Sequence, residues 1–83
     1  MAWEVLTLYP FELRIFDQLA EGREVCRVNR IGNVITVWVG TPTNERDETG
    51  ARLAQWKHIE KLVFDGPYEP MRVLRNTEVW SAR

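Results

Sequence analysis

Eighty-three residues, 45% of them hydrophobic and 28% charged, describe one small globular domain and exclude both a disordered chain and a two-lobed enzyme. Eleven lysines and arginines stand against twelve aspartates and glutamates. The resulting charge of −1 gives neither the basic excess of a protein held to nucleic acid by its phosphates nor the acidic excess of a polyanion mimic.

Cys26 is the single cysteine, which rules out an intrachain disulfide and a cysteine zinc cluster. A small domain without such staples is expected in a reducing compartment, the cytoplasm. The opening Met-Ala-Trp-Glu-Val has no signal-peptide character. The longest apolar run, Val37-Trp38-Val39, is far short of the ~20 residues that cross a bilayer as a helix, so no membrane partner is expected. Four tryptophans (Trp3, Trp38, Trp56 and Trp80) are many for this length. Each can bury about 150–250 Å², either as core filler or as a half-exposed anchor whose indole N–H stays hydrogen-bonded.

Trp3 to Tyr9 is rich in β-branched and aromatic residues and reads as a strand with both faces partly apolar. Pro10 then occupies a first helical position, and Gly22 is placed as the stop, which predicts a helix through Glu21. On that helix Phe11, Leu13, Ile15, Phe16, Leu19 and Ala20 would fill an arc of roughly 200°. So wide an arc implies packing against more than a flat sheet, or against a second subunit, and favours a symmetric dimer.

Residues 24–39 read as a β-hairpin turning at Gly32-Asn33, with glycine at the first central position of a two-residue loop. That turn places Ile31 opposite Val34, Arg30 opposite Ile35, Asn29 opposite Thr36, Val28 opposite Val37 and Arg27 opposite Trp38. Strand alternation then sends Cys26, Val28, Ile35, Val37 and Val39 to the core. Arg27, Asn29, Ile31, Val34, Thr36 and Trp38 face the other way.

Gly40 to Gly50 is polar and unanchored, a loop for residues 41–50 that is either mobile or the start of a helix capped by Thr43 or Asn44 and running towards Lys57. A shorter helix over 51–58 is the alternative. Ile59, Lys61 and Val63 alternate with Glu60, Leu62 and Phe64, as a strand or as that helix continued. Asp65-Gly66-Pro67 signals a turn, and Met71 to Trp80 a last strand. The expectation is therefore an α+β domain over residues 1–83, in β-α-β-β-α-β order. A mostly antiparallel sheet of four to five strands would carry one or two helices.

Groups that could support catalysis are sparse. His58 has no serine–carboxylate partners in an evident triad and no second imidazole to share a metal. Cys26, on the expected core face, suits a small hydrophobe better than a nucleophile. Ser81, the sole serine, lies at the C-terminal end. Glu45, Asp47 and Glu48 cluster without the ligand spacing of a calcium loop and with Arg46 among them. The five glycines are scattered and form no phosphate loop. No cofactor, metal or enzyme activity is expected.

Binding remains. Trp38 and Arg27, with Asn29 and Thr36 beside them and Arg30 close by on the opposite side, form the candidate contact site, since tryptophan and arginine dominate interface energetics. The leading expectation is a non-enzymatic protein–protein interaction domain that self-associates as a homodimer. The alternative is a small nucleic-acid-binding domain using Trp38 with Arg27, Arg30, Arg72 and Arg75. An enzyme built on His58 and the Glu45 to Glu48 cluster would need those groups in one pocket.

Overall fold

The computed structural model describes residues 3–43 and 45–76. These form five strands: β1 (Trp3–Leu8), β2 (Glu24–Ile31), β3 (Val34–Pro42), β4 (Trp56–Asp65) and β5 (Met71–Asn76). Two single 3₁₀ turns, Pro10–Glu12 and Ala20–Gly22, are the only helical elements among the described residues. The expected α+β architecture with helices packed on a sheet is therefore corrected: the protein is mostly β. β1 pairs with β5 in one antiparallel sheet, and β2, β3 and β4 form a second, three-stranded antiparallel sheet. The predicted last strand is present as far as Asn76, and Thr77 to Trp80, with Ser81, lie outside the described residues.

The predicted first helix fails because its backbone has better partners elsewhere. Pro10 does start a turn, in which Glu12 N–H donates to Tyr9 O at 2.9 Å and Tyr9 N–H donates to the Glu12 carboxylate at 2.9 Å. Beyond it the chain leaves helical geometry, with Phe16 and Glu21 at φ 77° and 67°. Phe16 N–H donates to Val25 O, Val25 N–H to Asp17 O, Gln18 N–H to Leu74 O and Leu74 N–H to Gln18 O, all at 2.8–2.9 Å. Residues 16–18 thus stitch β5 to β2 and join the two sheets. A 200° apolar arc carries little periodic information, so tertiary pairing decides this segment. With the helix gone, its arc no longer supports a dimer.

The predicted second helix is replaced by a ladder. Thr43 N–H donates to Gln55 O, Leu53 N–H to Glu45 O and Asp47 N–H to Ala51 O, at 2.8–3.1 Å. At the tip the Asp47 carboxylate accepts from Thr49 N–H, Thr49 Oγ1–H and Ala51 N–H, and Gly50 takes φ 86°. Aspartate and threonine here satisfy the backbone in a turn, which is how such residues outcompete a helix. The segment after Trp56, whose pattern fits strand or helix, is strand β4.

The core is small: Leu13, Val25, Ile35, Val37, Val39 and Val73 are buried, with Leu8, Leu19, Val28, Leu62, Phe64, Tyr68 and Met71 packed around them. None of the described tryptophans fills it. Trp3 is exposed, and Trp38 and Trp56 are half-buried. Between Leu19, Val39, Leu62 and Met71 the core stays open as a groove of about 380 Å³, rimmed by Arg23 and Arg72.

Two buried carboxylates complete the interior. Asp17, fully buried, accepts from Arg75 Nε and Nη2 at 2.9 and 2.8 Å and from Arg14 N–H at 2.9 Å. Glu24 is gripped by Arg52 Nη1 and Nη2 at 3.1 and 2.6 Å and by the Trp56 indole N–H at 2.8 Å. Phe16 packs at a tilt against Trp56, with ring centroids 5.8 Å apart, and lies beneath the Arg52 guanidinium. Each charge is buried only because an arginine fork answers it.

Candidate functional site

The hairpin turns at Gly32-Asn33, and every expected cross-strand pair forms, from Ile31 with Val34 down to Arg27 with Trp38. Val37 is fully buried, so its neighbour Trp38 must turn outward. A bulge between Val25 and Arg27 alters one assignment. Val25 takes the core position opposite Val39, and Cys26, expected inside, is half-buried with its thiol donating to Trp38 O at 3.2 Å. Burial pushes the Cys26 thiol pKa up, against its use as a nucleophile at neutral pH.

β4 adds a third column. Val34 pairs with Asp65, Thr36 with Val63 and Trp38 with Lys61. The outer face of this sheet is therefore three rows of three: Ile31–Val34–Asp65, Asn29–Thr36–Val63 and Arg27–Trp38–Lys61. Its apolar members stand in solvent, Ile31 at 69%, Val63 at 58% and Val34 at 37% exposure, and no helix crosses it among the described residues. The Arg27 guanidinium sits 4.9 Å from the Trp38 ring centroid, a cation–π contact that holds both side chains along the face. Lys61 and Asp65 have no ion-pair partner among the described residues.

The position of β4 depends on Gly40. A Cβ there would lie 3.0 Å from Lys57 O and 3.0 Å from Trp56 Cβ, so only glycine allows the strands this close. The register shifts at this point, and His58 takes φ 54°.

Of the expected site residues, Trp38, Arg27, Asn29 and Thr36 come together on this face. Arg30 does not: its Nε and Nη2 donate to Phe11 O and Leu13 O, each at 3.1 Å, on the other side of the sheet. Arg75 is committed to Asp17, and Arg72 rims the apolar groove. Lys61, Val63 and Asp65 join the face without having been expected there, although the Ile59–Lys61–Val63 alternation is the signal that places them. His58 is exposed on β4, whereas Asp47 is occupied by its own turn. Among the described residues no three histidine, cysteine or carboxylate side chains could hold a metal, and no helix is long and apolar enough to cross a membrane. Comparison with protein families, curated proteins and solved structures finds no match, so the meaning of this face must come from its own residues.

Proposed function

We propose that this protein is a non-enzymatic interaction domain that contacts another protein through the outer face of the β2–β3–β4 sheet. The observation that carries the proposal is the exposure of Ile31, Val34 and Val63 on the same face as the stacked Trp38–Arg27 pair. Exposed apolar side chains that share a face with a tryptophan and an arginine have the composition of an interface. The position of Trp38 between Arg27 and Lys61 favours single-stranded nucleic acid as a second reading, because an indole stacks bases and cations meet phosphates. Two cations beside Asp65 supply little phosphate neutralisation, however, and the aliphatic rows have no use there.

The test is a pull-down from the native host with wild type, Trp38→Ala and Val63→Asp, each checked by circular dichroism. A protein captured by wild type and lost from both folded variants supports the proposal; identical capture by all three overturns it. Quenching of tryptophan fluorescence by oligodeoxythymidylate that vanishes between about 50 and 200 mM salt, the steep dependence of phosphate contacts, would put the second reading in its place.

A further inference from the structure

We infer that the protein this face accepts is a second copy of the same chain, stacked face to face about a two-fold axis that runs across the strands. The inference rests on the protein-contact reading and adds its partner. Two sheets packed face to face have opposed normals, so the axis relating two copies lies in the plane of contact. For sheets packed in the aligned manner it then runs close to the strand direction or across it.

The nine positions distinguish these. An axis along the strands lays β2 over β4 of the other copy, which sets Arg27 against Lys61 and Ile31 against Asp65. An axis across the strands keeps each strand over its own counterpart and exchanges the outer rows. Asp65 then meets Lys61 twice, Val34 meets Trp38 twice, and Ile31 lies on the aliphatic stem of Arg27. Thr36 and Val63 meet their own counterparts on the axis. Lys61 and Asp65 therefore meet opposite charge, and Ile31, Val34 and Val63 meet apolar surface. The usual rotation of about 30° between packed sheets displaces the corner positions by about 4 Å, within the reach of a lysine side chain. Nine positions are fewer than the roughly 20–30 residues per side of a standard interface, so the dimer is expected to be weak and seen only at high concentration.

Sedimentation equilibrium from about 10 to 500 µM tests this with the full chain. Wild type is expected to associate, and Lys61→Asp and Asp65→Lys each to weaken association about tenfold, as two attractive exposed pairs become repulsive. The double variant carrying both changes restores association, because exchanging the two charges leaves opposite signs facing each other across the axis. An equimolar mixture of the two single variants forms a heterodimer, since both of its charge pairs set a carboxylate against an ammonium, whereas each variant alone sets two pairs of like charge together. A strictly monomeric wild type overturns the inference but leaves the protein-contact proposal intact if the pull-down still depends on Trp38. Association indifferent to both single changes also overturns it, by placing the contact elsewhere. If neither association nor capture responds to Trp38→Ala, the proposal beneath it fails as well.

Discussion

Val37 and Trp38 are adjacent on β3 and belong to different environments. Val37 is sealed among Val25, Val39 and Val73 on the inner face, where the chain also closes two carboxylates with arginine forks. Trp38 lies on the outer face among residues that remain in water and whose charges, Lys61 and Asp65, have no described partner. The larger, greasier side chain is the one left out. A domain this small buries only about 60% of its unfolded surface. It closes its core with compact aliphatic side chains and paired charges, leaving the indole on the outer face. Stability should therefore respond to the inner face and association to the outer one.

The largest stability change is expected at Asp17. Asp17→Ala leaves the partly buried Arg75 guanidinium on Glu12 O without its counter-charge and should cost about 3 kcal/mol in chemical denaturation, the low end of the cost of orphaning a buried charge. A loss below about 1 kcal/mol would show that the interior tolerates the unpaired guanidinium and that the two faces differ less than their contacts imply. Gly40→Ala comes next. The added methyl group meets backbone 3.0 Å away, and overpacking of this kind costs about 1–3 kcal/mol. Because the clash falls between β3 and β4, weakened hydrogen-exchange protection of β4 should accompany it. Unchanged protection would detach the outer face from that close approach.

Trp38→Ala reverses the pattern. Stability should fall by no more than about 1 kcal/mol, as for a half-exposed side chain with one cation–π contact, while association and capture are lost. A larger fall in stability would make Trp38 part of the core and end the distinction.

The smallest effect concerns the 43–55 ladder, which belongs to neither face. Hydrogen bonds from the Thr49 hydroxyl and from the Thr49 and Ala51 amides hold the Asp47 carboxyl below the ordinary aspartate value of 3.8. A lowered folded pKa means that the turn is fully supported above the ordinary value and loosens only as pH falls through the lowered one. The Thr49 and Ala51 amide resonances should titrate together with a midpoint under 3.8. A midpoint at or above that value would show that these hydrogen bonds do not hold the carboxylate.

The residues whose structure is legible in the sequence share a physical property: it follows from chemistry within a few positions of them. Gly32-Asn33 closes a two-residue turn, and that turn sets the alternation of the whole hairpin, including the outward course of Trp38. The β4 alternation is equally visible, but whether it belongs to a strand or a helix depends on an edge of β3 that no local signal reveals. Segment 10–22 misleads for a related reason. Its apolar residues fit one face of a helix, but Phe16 and Asp17 bond through their backbone to Val25, beyond the reach of a helical turn, and Gln18 to Leu74, far along the chain. The bulge that moves Cys26 out and Val25 in lies just as far beyond local reach.

The amino-acid order by itself therefore determined the hairpin, its register and the mixed face that carries Trp38 and Arg27, because a tight turn and a two-residue period act over neighbouring positions. Only the tertiary structure decided that a would-be helix becomes the splice between two sheets, that Asp17 and Glu24 are interior charges, and that Arg30 and Arg75 hold the fold together instead of serving the face. Those outcomes depend on guanidinium groups finding partners 17 to 58 residues away and on the Gln18 backbone pairing with Leu74, and such pairings are settled by the whole folded chain at once.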